Sequence, residues 1–193
     1  MAKFRRKYRI ESIRAQWWDY GWNGAYFITI CTKNRNHFFG KIKNRKMDFS
    51  SLGIIADILW HEIPNHSKFV SLGEFVVMPN HIHGILLIDK PVDDGVNLEV
   101  DRDLDVDVVE TRHALSLRES MGKTRFQNQG KNTISSMVSS YKSAVTRHAN
   151  RIGLENGWQF RFHDHIIRNH AEYQRIENYI IKNPENWDND KFR

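Results

Sequence analysis

His81 and His83 stand two residues apart in HIHGILLI, a run of branched and aliphatic residues that reads as a β-strand. Side chains alternate across a strand, so both imidazoles share one face and Ile82 points to the other. Two imidazoles so placed can hold one divalent cation and leave positions open for water or phosphate oxygens, as metal-assisted phosphoryl chemistry requires. Tyr141 is the third candidate, in SSMVSSYKSAVTRHAN, with Lys142, Arg147, His148 and Arg151 around it. Ser139, Ser140, Ser143 and Ala144 leave room for another chain to come close. A tyrosine hydroxyl attacks a phosphodiester polarised by a metal, and with a reference pKa of about 10 its phenolate also leaves, so the linkage is reversible. Singly, each has a plainer reading: an H-x-H pair is more often structural, and an aromatic on an amphipathic helix is more often core. Glu74, diagonal to His83 if Pro79–Asn80 is a two-residue turn, reads as an exposed strand carboxylate rather than an outer-shell group.

The elements that must position these residues follow from periodicity. Gly24–Thr32, GAYFITICT, predicts a strand, and Lys41–Phe49 a second, weaker one. Ser50–Ser51 is an N-cap signal for a helix through Leu52, Ile55, Ile58 and Leu59, ending near Pro64. Lys68–Met78 and His81–Ile88 predict a hairpin turning at Pro79–Asn80. Thr133–Ile152 has helical spacing of Ile134, Met137, Val138, Tyr141 and Val145; Trp158–Ile167 contains a short strand. Ala171–Lys182 follows as a helix whose apolar stripe is Tyr173, Ile176, Tyr179 and Ile180. This order predicts an α+β fold of one domain, with helices on one face of an antiparallel sheet.

Composition narrows the partner. The net charge is +6, but residues 89–110 hold nine acidic side chains against Lys90 and Arg102. The remainder carries 27 basic and 14 acidic residues, or +13. A body that basic points to a polyanion, with nucleic acid the first candidate. The acidic stretch, extended to about residue 130, reads as a mobile insertion; DRDLDVD lacks the glycine and glutamate placement of a metal-binding loop. No run approaches the roughly 18 apolar residues that span a bilayer. Cys31 is the only cysteine, so no intramolecular disulfide forms, and a cytoplasmic location is the default.

Four blocks in order carry a resemblance: FVVMPNHIHGILLI (75–88), YKSAV on a later helix, WQFRFHDHIIRN (158–169) and YIIKNPENW (179–187). Over about residues 20–188 the chain resembles the REP-associated tyrosine transposases, of the single-tyrosine HUH class named for two histidines around a bulky apolar residue. The resemblance implies a ferredoxin-like (RRM-like) sheet carrying His81 and His83 as metal ligands, faced by a helix carrying the nucleophile, mapped onto Tyr141. It implies Mg²⁺ or Mn²⁺ and a single-stranded DNA partner with hairpin structure. Attack on the phosphodiester would leave a 5′-phosphotyrosine and a free 3′-OH, reversed on rejoining without ATP. A monomer is favoured over a dimer.

One departure stands out. Insertion-sequence members take a third ligand from a Gln at i+4 after the tyrosine, where this chain has Val145. His148, Asp164 and His165 are the substitute candidates. Expected DNA-contacting residues are Arg5, Arg6, Lys7, Trp17, Trp18, Lys33, Arg35, Lys142, Arg161 and Arg168. The competing expectations are a catalytically silent nucleic-acid-binding module of the same fold and a metal-dependent hydrolase that uses water.

Overall fold

The structure, a computed structural model, describes residues 19–91 and 132–192, with the backbone of two paired strands, β1 (Lys3–Phe4) and β2 (Lys7–Tyr8). Arg5, Arg6, Trp17, Trp18, the Lys7 side chain and nearly all of the acidic insertion lie outside the described residues.

β3 (Gly24–Cys31) is the hub of a four-stranded sheet with β6 (Val70–Met78), β7 (His81–Ile88) and β8 (His163–Ile167). The order is β6-β7-β3-β8 and every neighbouring pair is antiparallel. α1 (Ser51–His61) connects β3 to β6, and α3 (Ile134–Arg151) connects β7 to β8. This is the expected ferredoxin-like core. The predicted hairpin turns at Pro79–Asn80 and pairs Met78 with His81 and Val76 with His83. A register shift between Leu72 and Phe75 follows, and Glu74 is exposed there. In place of one weak strand at 41–49 there are two, β4 (Gly40–Lys43) and β5 (Lys46–Phe49). Asn44 and Arg45, both at positive φ, make the tight turn between them.

Helix starts are set by side chains. Ser50 accepts a hydrogen bond from the Gly53 amide at 3.0 Å, and Thr133 and Ser136 form a reciprocal capping box. α1 then buries Leu52, Ala56 and Trp60, and α3 buries Met137, Val138, Tyr141, Val145 and Ala149. These residues meet Tyr26, Ile28, Ile30, Ile82 and Leu86 in the main core. Gly84 lets α1 come this close, since a Cβ there would stand 2.3 Å from the Trp60 ring. A short helix, α2 (Ile63–His66), completes the turn into β6.

The expectation of helices on one face holds for α1 and α3 and fails for α4 (His170–Ile181). That helix puts Ile176 and Ile180 against Ile85 and Ile167, with Phe27, Val76 and Leu87 around them, on the other face. Strand alternation requires this split: Ile82 and Leu86 belong to one core, His81, His83, Ile85 and Leu87 to the other side. No helix among the described residues is long and apolar enough to cross a membrane.

Candidate active site

His81 and His83 lie together on the α4 face, fully buried, with ring centroids 4.5 Å apart. Each Nδ1 is held from behind. His81 Nδ1 is 2.8 Å from Asn80 Oδ1, an acceptor, so Nδ1 carries the proton and Nε2 presents its lone pair. His83 Nδ1 is 2.8 Å from Thr29 Oγ1, its neighbour across the strand. Burial lowers both pKa values, His81 to about 4 and His83 well below its ordinary value, where the adjacent His81 adds to the effect. Both imidazoles are therefore neutral near pH 7, the form that ligates a metal.

Tyr141 is not beside them. It sits on the opposite face of the sheet, 3% exposed, with its ring edge-on to Trp60 and its hydroxyl donating to the Ala56 carbonyl at 2.8 Å. Burial pushes its pKa well above the ordinary phenol value. Its apolar period on α3 assigned it to the core, and the α1/α3 core is on the wrong side of β7 for contact with His83. Val145 is buried in the same core, so the position that lacked a ligand is not a ligand position at all.

The tyrosine that does reach the histidines is Tyr179, from α4. Its hydroxyl lies 3.2 Å from His83 Nε2, its ring 5.3 Å from the imidazole, and the residue is 40% exposed. Partial burial and the nearby Asp190 carboxylate raise its pKa to about 12. One helical turn on, just past the end of α4, is Asn183, 1% exposed. Asn183 Nδ2 donates to Asp190 Oδ2 at 2.9 Å, and that oxygen is 3.8 Å from His81 Nε2. Ligand atoms of His81, His83 and Asp190 all lie within 4.8 Å of one another.

Two buried atoms here, His81 Nε2 and Asn183 Oδ1, have no hydrogen-bond partner. Each such orphan costs on the order of 1–3 kcal/mol. Two neutral imidazole nitrogens gathered beside a carboxylate suit a divalent cation of the Mg²⁺ or Mn²⁺ kind. Phe192 closes one side, its ring 5.1 Å from His81 and 5.4 Å from His83, and its carbonyl accepts from Arg35 Nη1 and Asn80 Nδ2.

The other expected residues divide by position. His148 is exposed on α3. Asp164 pairs with Ile28, on the α1/α3 face. His165 is on the α4 face but level with Phe27, and its Nε2 is 2.8 Å from Glu172. None of the three joins the histidine pair. Arg35 sits at the site, Lys33 and Arg161 are exposed near the same end of the sheet, and Lys142 is on α3. Arg168 follows Ile167, at the far end of β8. Tyr179, Asn183 and Asp190 are the site residues that the motifs did not single out. The signal for the first two is nonetheless present: an amide at i+4 after a tyrosine, absent at Tyr141, occurs in YIIKN. Asp190 carries no such signal, being supplied by a turn beyond the helix.

A protein of Haemophilus influenzae, itself uncharacterized, is 35% identical over 182 residues, covering 94% of this chain and 91% of that one. The chain belongs to that protein's family. No protein-family model matches it. The structure of a REP-associated tyrosine transposase bound to a REP hairpin superposes with TM-score 0.51 at 18% identity, covering 97% of this chain and 74% of that one. The family member described here thus has the fold of the REP-associated tyrosine transposase. A Deinococcus radiodurans protein assigned as a transposase matches more loosely, with TM-score 0.42 and 14% identity over 90% of this chain and 96% of that one.

Proposed function

We propose that this protein is a single-tyrosine transposase-type enzyme of the REP-associated HUH class, cutting and rejoining single-stranded DNA with Tyr179 as nucleophile. The observation that carries the reading is the convergence of the Tyr179 hydroxyl, the Asp190 carboxylate and two buried neutral imidazoles, one with an orphaned Nε2, on one face of the sheet. Likeness of fold to a transposase whose structure holds a REP hairpin supports hairpin-bearing single-stranded DNA as the partner.

His81 and His83 would hold a divalent ion, with Asn183 Oδ1 or Asp190 completing the set. When bound, Mg²⁺ or Mn²⁺ supplies Lewis acidity to the scissile phosphate. Asn80 and Thr29 keep the two Nδ1 atoms engaged, which orients both Nε2 atoms inward. Tyr179 forms a bond from its oxygen to phosphorus and releases its proton to water. The bond from phosphorus to the 3′ oxygen breaks, and that oxygen takes up a proton. One phosphoester replaces another, so the step reverses without a nucleotide cofactor. Arg35, beside Phe192 and the histidines, is placed to neutralise a phosphate.

Incubation with Mn²⁺ and hairpin oligonucleotides is expected to give a covalent protein–DNA adduct in denaturing gels. Tyr179→Phe should lower it by at least about 10³-fold, the scale of losing a nucleophile. Adduct formation unchanged in Tyr179→Phe would remove that residue from the role. A nucleic-acid-binding module without chemistry is the second reading, favoured by the Phe192 ring packed over both imidazoles. Tight binding with no adduct under either metal would select it.

A further inference from the structure

On the side of the sheet away from Tyr179, a groove runs along the outer flank of α3, between that helix and the loop that leads into β8. Lys142, Arg147 and Arg151 line it, with Thr146 and Trp158, and no acidic side chain is among its lining residues. Neither arginine is in the ion pairs found among the described residues, which lie elsewhere. Trp158 is fixed: its Nε1 donates to Thr146 Oγ1 at 3.1 Å, and the Lys142 ammonium stands 5.9 Å from its ring. Two residues on, Phe160 is 98% exposed. That exposure is not slack in the loop. The neighbouring Gln159 is pinned on both sides, its amide donating to the Cys31 carbonyl and its own carbonyl accepting from Lys142 Nζ at 2.7 Å. A large apolar ring held in water by an anchored backbone, next in the chain to the carbonyl that Lys142 holds and at the end of a groove lined by cations, needs a partner that offers both a flat apolar face and negative charge. An unpaired nucleotide offers both.

The groove also connects with the chemistry. Trp158 bridges to Thr32, and Cys31 is the register partner of His81. The Lys33 amide donates to the Gly157 carbonyl, and Arg35 reaches Phe192 over the histidines. A chain of cations therefore runs from the groove around the end of the sheet to the metal site.

We propose that this groove is a second DNA-binding site, which takes the single-stranded flank of the substrate, with a base stacked on Phe160 and phosphates on Arg147 and Arg151. It rests on the reading of the protein as an enzyme of single-stranded DNA, and it assigns to the α3 face a task that the histidine site does not perform.

The test measures binding of a fluorescent single-stranded oligothymidine of about 16 nucleotides, long enough for one such groove, across a salt series. Arg147→Ala/Arg151→Ala should flatten the slope of log affinity against log salt by about 1.4, or ~0.7 per phosphate lost, so that raising salt from about 50 to about 200 mM weakens the wild type about 7-fold more than the variant. Phe160→Ala should weaken binding at least about 5-fold, and Phe160→Trp should restore it, as a stacking role requires. These side chains are exposed, and far-ultraviolet circular dichroism verifies folding. Wild-type affinity and slope in the groove variants, or equal competition by duplex of the same length, would overturn the inference even if adducts still form. The predicted losses without any adduct in the wild type would uphold the groove and sink the transposase reading. Absence of any binding by the wild type would sink both.

Discussion

Two tyrosines, each on a helix packed against the same sheet, occupy opposite chemical situations. Tyr141 on α3 gives its hydroxyl to the Ala56 carbonyl, touches Trp60 and is closed to solvent. Tyr179 on α4 is partly open, and its hydroxyl reaches His83 Nε2. Both phenols have raised pKa values, from burial first and a nearby carboxylate second, Asp57 at Tyr141 and Asp190 at Tyr179. What separates the two carboxylates is their company: Asp190 has its ligand oxygen within 4.8 Å of the ligand atoms of His81 and His83. The contrast teaches that a tyrosine's promise as a nucleophile depends on which face its helix covers, more than on the basic residues around it in sequence.

The contrast can be tested through acid. His81 and His83 have folded-state pKa values below the ordinary value of about 6.5, because burial disfavours their charged form. The unfolded chain then binds more protons than the folded one, so stability falls as pH falls from about 6.5 toward about 4. His81 alone accounts for a loss on the order of 3 kcal/mol across that window. Denaturant titrations in a chelating buffer should show it; His81→Phe should remove its own share and leave that of His83. A pH-independent midpoint would mean that the imidazoles are not held neutral by burial.

Asn183 sharpens the comparison, since it is the amide one turn beyond Tyr179 where Val145 stands one turn beyond Tyr141. Asn183→Ala is expected to weaken Mn²⁺ binding about 10- to 100-fold by calorimetry, the usual loss when a supporting metal contact is removed. Val145→Ala should leave Mn²⁺ affinity unchanged. Equal effects at the two positions would erase the distinction between the helices.

The smallest effect belongs to Tyr141→Phe. It deletes one buried hydroxyl and leaves the Ala56 carbonyl short of a donor, so unfolding free energy should fall by about 1 kcal/mol with adduct formation retained. Loss of adduct at unchanged stability would restore Tyr141 to the chemistry.

Much of this protein is legible in its sequence. The period-2 placement of His81 and His83, the turn at Pro79–Asn80, the caps at Ser50 and Thr133 and the apolar stripes of α1 and α3 are local properties, dictated by backbone geometry and side-chain alternation. They establish the α+β class and the imidazole pair. What local pattern leaves open is which face of the sheet each helix covers. An apolar stripe says that a helix must pack, not where, and Tyr141 and Tyr179 both lie on such stripes. Only the crossovers decide: α1 and α3 return the chain between strands on one side, and α4, freed of that duty after β8, closes the other. That single choice buries Tyr141 beneath Trp60 and brings Tyr179, Asn183 and the distant Asp190 to the histidines. Long-range proximity of this kind is a property of the assembled layers, because contacts between residues some 100 positions apart are settled by packing the whole core rather than by any window of sequence.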